Sequence, residues 1–153
     1  MAIADVMRLR VVRVRPDETA QVAVLRMLEE NIGAVAVCDG DRLVGIFSER
    51  DVLRLTGEGS DLREVNVGDV MTRSLVTVSP DDDVLAAAEL MGERQIRHLP
   101  VLQGENLLGI VGIRDVLRIL VERLWRDHDP GAREMARELL RRAPGTRSST
   151  NSG

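Results

Sequence analysis

The chain has 153 residues, 44% hydrophobic and 30% charged, enough for one well-filled core or two small ones. A formal charge of −4, with Phe47 and Trp125 as the only aromatic side chains, argues against nucleic acid as a partner. The single Cys38 forbids an internal disulfide, no stretch approaches the roughly 18 apolar residues of a membrane span, and the start MAIADVMRLR lacks the pattern of a secretory leader, so a cytoplasmic location is expected.

Val11 to Val14 predicts a short strand, and Pro16-Asp17 then breaks the chain and opens a helix. Val24, Leu25, Leu28 and Ile32 keep helical spacing through 20–31. Ala34 to Cys38 predicts a buried strand, Asp39-Gly40 a hairpin turn and Leu43 to Phe47 the returning strand. Ser48 starts a second helix that runs to Leu55. The second half repeats the order: a strand near 75–78, a helix over 84–94, a strand over 99–102, a turn at Gln103-Gly104, a strand over 107–111 and a helix from Ile113. This last helix carries a stripe of Val116, Leu117, Leu120 and Leu124, with Trp125 beside it, before Pro130-Gly131 interrupts. An amphipathic helical segment follows over 132–143, with Met135, Leu139 and Leu140, and a small polar tail over 144–153 is expected to be disordered.

The two halves are copies. VGIFSERDVLR at 44–54 returns 64 positions later as LGIVGIRDVLR at 108–118, and 21 of the 50 positions from Asp5 to Arg54 are identical to their partners. A repeat of this size sets the architecture. The β-α-β-β-α order of each copy predicts an α+β fold of two pseudo-symmetric units, each burying the apolar face of the other, plus a C-terminal helical extension. The expected boundaries are 1–55 for the first repeat, 56–68 for a linker, 69–125 for the second repeat and 126–143 for the extension.

The tandem repeat, its Ile-x-His-Leu-Pro-Val centre (Ile96 to Val101) and its Gly-Ile-x-Ser-x-x-Asp end (Gly45 to Asp51) resemble a pair of CBS (cystathionine β-synthase) domains, a Bateman module of the stand-alone bacterial or archaeal type. The resemblance implies adenosine-containing ligands in clefts between the repeats, and disc-shaped dimers. It gives Asp51 and Asp115 to the ribose of a ligand, Ser48 to its phosphate, and Thr77 to a base or phosphate beside the aspartate of the other copy. Ile96 and Arg97 would flank the first cleft, Ile32 and Gly33 the second, with His98 near the phosphate in the cleft of Asp115. Gly112 replaces the serine there and keeps only its backbone N–H for an anion.

Physical chemistry supplies both sides of this reading. A serine where strand passes into helix can donate to a phosphate, helped by the helix N-terminus. Ser-x-x-Asp before an apolar helix is also close to a capping box, which needs no ligand. Asp81-Asp82-Asp83 is expected to cap a helix rather than hold a metal, Met27 and Met91 to fill the core, and the alternation of Arg8, Arg10, Arg13 and Arg15 with valines to mark a half-exposed strand. No nucleophile–base pair or metal-ligand cluster is visible, so neither catalytic nor metal-binding residues are expected and no cofactor is required. The favoured function is a non-enzymatic regulatory module binding AMP, ADP, ATP or a similar compound. The alternative is a constitutive dimerisation or interaction module with vestigial clefts. A homodimer and an unidentified effector protein are the expected partners, with neither nucleic acid nor membrane.

Overall fold

The computed structural model describes residues 1–126 together with Pro130, Gly131, Glu134 and Arg137. They fall into two compact units, Met1–Ile113 and the residues from Arg114 onward.

The first unit is built on one five-stranded sheet. In spatial order its strands are β1 (Arg13–Val14), β2 (Ala34–Asp39), β3 (Arg42–Ser48), β5 (Asn106–Gly112) and β4 (His98–Gln103). β1 lies parallel to β2, while β2–β3 and β4–β5 are antiparallel hairpins that meet only at Arg42 and Asn106. Each hairpin turns on a glycine, Gly40 at φ 61° and Gly104 at φ 63°, the positive φ that the first central position of a type II′ loop requires. The helices of this unit are α1 (Ala20–Glu30), α2 (Glu49–Gly57), α3 (Val67–Val70) and α4 (Val84–Arg94). Thr19 caps α1 by accepting from the amide of Val22, and Asp83 caps α4 by accepting from Leu85 and Ala86. Both helices end on a left-handed residue, Asn31 (φ 51°) and Gln95 (φ 53°).

Strand periodicity separates two cores. From β2, Val35 and Val37 pack with Ala23, Met27, Phe47 and Leu55 under the helices. The alternate residues Ala36 and Cys38 face Leu107 of the second hairpin. Phe47 is fully buried, and its truncation to alanine is worth ~3–5 kcal/mol.

The segment leading into each repeat packs on the other repeat. In the first arm, the amide of Ile3 donates to the carbonyl of Asp82 (2.8 Å), that of Val84 to Met1 (2.9 Å), and that of Arg8 to Ile110 (2.9 Å). In the second arm, 64 residues on, Val67 donates to Glu18 (2.8 Å), Ala20 to Val65 (2.9 Å), and Thr72 to Ile46 (2.8 Å). Val67 and Met71 of the second arm complete the core of the first repeat. Glycine is obligatory where each arm crosses a strand. A Cβ on Gly109 would sit 2.7 Å from the carbonyl oxygen of Arg8, and one on Gly45 would sit 3.0 Å from that of Thr72.

These arms change several expectations. The first strand is confined to Arg13–Val14, and the expected strand near 75–78 reduces to a single bridge from Val78 to Val101. Residues 56–68, expected as linker, include the end of α2 and the start of α3. Met27 and Met91 are buried, as expected of core residues.

In the second unit, α5 (Ile113–Arg126) buries Val116 completely and leaves Leu117 exposed. Pro130 and Gly131, expected as a break, are themselves helical, as are Glu134 and Arg137. The rest of the expected 132–143 helix, including Met135, Leu139 and Leu140, the tail over 144–153, and the side chains of Leu124 and Trp125 lie outside the described residues.

Candidate functional site

The end of β3 delivers Ser48 to the N-cap of α2, with extended backbone at φ −126° and ψ 170°. Asp51, one turn in, accepts from the Ser48 amide at 2.9 Å and from the Ser48 hydroxyl at 3.3 Å. The same carboxylate accepts from the hydroxyl of Thr72 on the second arm at 3.2 Å, with the Arg54 guanidinium 3.6 Å away. Asp51 is 6% exposed. A buried carboxylate needs such a set of donors, and here it ties the start of α2 to the crossing arm. The Ser-x-x-Asp motif therefore has a structural task whether or not a ligand is present.

Beside this knot lies a cavity of about 460 Å³. Gly33 and Ala34, the β3–α2 junction, the arm from Thr72 to Val76, and Gln95 to His98 frame it. Its wall is apolar at Ile46, Leu53, Leu75, Val76, Ile96 and Pro100, and hydroxyl-bearing at Ser48, Thr72 and Ser74. The charged lining residues are Glu49, Arg50 and Arg97, with the His98 imidazole beside them. Gly33 is held close to two of these: a Cβ there would lie 3.3 Å from the Glu49 carboxylate and 3.4 Å from Cε1 of His98. The backbone is pinned nearby, with the Glu49 amide donating to the Gly33 carbonyl at 3.0 Å. Arg50 reaches across and donates to the carbonyl of Gln95 at 3.4 Å.

Of the residues singled out from the sequence, Gly33, Ser48, Ile96, Arg97 and His98 share this one cavity. Gly33 and His98 had been expected in a different cleft from the other three. Asp51, Ile32 and Thr77 do not line it: Asp51 is buried behind Ser48, Ile32 is half-buried against the first core, and Thr77 is exposed beyond Val76. Gly112 ends β5, paired in register with His98, and is buried. Asp115 lies in the first turn of α5, 5% exposed, with Arg118 at 3.9 Å. Sequence reasoning missed Arg50, Thr72 and Ser74. The recurrence of Asp-Val-Met just before Arg8 and Thr72 was the available signal that these stretches hold fixed positions.

Two copies of one unit, joined through a shared sheet, match a known family. The CBS domain profile fits residues 3–58 and again residues 67–122. The chain belongs to the CBS domain family. Among relatives of this CBS pair is the mitochondrial CBS domain-containing protein CBSX3 of Arabidopsis thaliana, 40% identical over 111 residues, which are 69% of this chain and 54% of that protein. The chain thus spans about half the length of that relative. A CBS-domain containing protein from Agrobacterium tumefaciens superposes with a TM-score of 0.73 at 30% identity, covering 78% of this chain and 99% of its own. The CBS domain pair of protein MJ0100, solved in complex with 5′-methylthioadenosine and S-adenosylmethionine, has the same fold: its TM-score is 0.74 at 21% identity, over 80% of this chain and 98% of its own. Among the described residues, no cluster of three potential metal ligands occurs, and no helix is long and apolar enough to cross a membrane.

Proposed function

We propose that this CBS pair is a non-enzymatic sensor that binds an adenosine-containing ligand in the cavity between β3, the second arm and the start of β4. The carrying observation is the cavity itself. Its volume of about 460 Å³ falls within the roughly 300–1,000 Å³ usual for small-molecule sites, and it joins an apolar wall to a polar, cationic end. An adenine ring suits the first and a ribose phosphate the second. The adenosine compounds bound by the MJ0100 pair support the ligand class. Gly33, Ser48, Ile96, Arg97 and His98 are the proposed contacts, and Asp51 joins them at the ribose if Thr72 yields its hydrogen bond. The protein acts in the cytoplasm as a homodimer that passes ligand state to an effector. The exposed Leu117 contributes to the self-contact, and the exposed apolar surface of α1, Leu25 and Leu28, remains for other contacts.

Titration calorimetry of nucleotide-free protein with AMP, ADP, ATP, NAD and S-adenosylmethionine tests the reading. Binding of at least one at micromolar concentration is expected. Folded protein that binds none of them would leave the interaction-module alternative in its place. Unchanged affinity in a folded Asp51→Ala variant would remove Asp51 from the site while leaving the cavity assignment standing.

A further inference from the structure

We infer that the cavity selects an anionic adenosine compound, a nucleoside phosphate, over an uncharged or sulfonium-bearing nucleoside, and that Arg50 and Arg97 determine this choice. The inference rests on the reading that the cavity takes an adenosine compound at all.

Two guanidinium groups reach the same cavity from different elements, Arg50 from the first turn of α2 and Arg97 from the residue before β4. Neither forms an ion pair among the described residues. Arg50 makes one hydrogen bond, to the Gln95 carbonyl at 3.4 Å, at the long limit for such a bond, so a phosphate oxygen replaces it at little loss. The Arg97 carbonyl is taken by the Ile113 amide, but its exposed guanidinium has no hydrogen bond or ion pair among the described residues. An arginine fork fits phosphate oxygens in pairs, and charge-assisted bonds of this kind are stronger than neutral ones.

The rest of the lining points the same way. Glu49 is the only acidic side chain among the described residues that line the cavity, and the first turn of α2 adds a partial positive charge. The Ser74 hydroxyl supplies a further donor, while those of Ser48 and Thr72 donate to Asp51 and offer the cavity their lone pairs. A sulfonium placed here would face two guanidinium groups with one carboxylate to balance them. Gln95 holds this arrangement in place: its left-handed backbone, at φ 53°, sits at the cavity edge and presents the carbonyl that parks Arg50.

The test is calorimetric titration of the wild-type chain, Arg50→Gln, Arg97→Gln and the double variant with adenosine, AMP, ATP and S-adenosylmethionine, at two salt concentrations. Both arginines are exposed, so the variants are expected to melt at the wild-type temperature. AMP or ATP should bind the wild type about a hundredfold more tightly than adenosine, and that preference should fall by about tenfold with each glutamine, nearly vanishing in the double variant. Adenosine affinity should fall far less than AMP affinity in the same variants, and only phosphate binding should weaken with salt. Adenosine or S-adenosylmethionine binding the wild type as tightly as AMP would overturn the inference, as would a double variant that keeps the phosphate preference. In both cases the cavity would still be an adenosine site. Failure of all four compounds to bind would overturn the cavity assignment and this inference with it.

Discussion

Gly109→Ala is a direct test of the crossing of the first arm over the second repeat. The new Cβ would stand 2.7 Å from the Arg8 carbonyl oxygen, a backbone atom that cannot rotate away. To reach an ordinary contact of 3.4 Å the arm must retreat by about 0.7 Å. The Ile110 amide already reaches the Arg8 carbonyl at 3.2 Å, so such a retreat breaks that bond and strains its partner, from the Arg8 amide to the Ile110 carbonyl at 2.9 Å. Loss of one or two backbone hydrogen bonds together with local overpacking is worth ~1–3 kcal/mol. For a chain of this size each kcal/mol lowers the melting temperature by about 2–4 °C. Thermal unfolding followed by circular dichroism should therefore show a drop of several degrees, and amide exchange at Arg8 and Ile110 should accelerate. Gly92→Ala is the internal control. Gly92 lies within α4 with nothing near its missing Cβ, so alanine should stabilise by ~0.5–1 kcal/mol. A Gly109→Ala protein as stable as wild type would refute the crossing geometry.

Asp51→Ala strands the donors of Ser48 and Thr72 and should cost ~1.5–3 kcal/mol in urea unfolding without any ligand; a neutral result would mean that the carboxylate does not tie α2 to the arm. Burial pushes the Cys38 thiol up from its usual range, so iodoacetamide at pH 8 should modify native protein far more slowly than urea-unfolded protein, and equal rates would contradict the buried placement. The Ala86 amide is the main influence holding the Asp83 carboxyl below its ordinary range. With the folded value below the unfolded one, its stabilisation is present at neutral pH and lost as pH falls through the depressed value. The melting-temperature advantage over Asp83→Ala should accordingly shrink between pH 5 and pH 3, in a range set by the reference carboxylate value of about 3.9, whereas a constant gap would exclude this linkage.

The hairpins were legible because Gly40 and Gly104 mark their turns and because the short apolar run from Ala34 to Cys38 needs only local information to be read as a buried strand. The expected 84–94 helix matches α4 for a similar reason: Asp83 caps it and Met91 keeps the helical spacing of its buried face. The arms were not legible as arms. Met1 to Arg8 and Val65 to Thr72 are too short to carry a period, and their conformation is set by carbonyls and amides of the other repeat. The cavity was legible in proportion to how much of it comes from the junction motifs. Ser48, Ile96 and Arg97 were named from them, but Thr72 and Ser74 reach it only because the second arm crosses β3. Asp51 shows the opposite limit, since motif chemistry alone could not tell a carboxylate open to a ribose from one occupied by Thr72.

The exchanged arms also bear on how such a chain arises. A single 64-residue unit leaves the surface around its Gly-Ile strand uncovered, because its own arm is directed away from it. Two separate copies solve the problem by lending each other their arms, which is a domain-swapped pair with two-fold symmetry. Gene fusion through the connection at 58–64 makes that exchange intramolecular and replaces dependence on protein concentration with a fixed effective one. Once the copies are covalently joined, symmetry no longer constrains them. Serine at 48 and glycine at 112, or threonine at 72 and arginine at 8, can then diverge independently without endangering the shared fold.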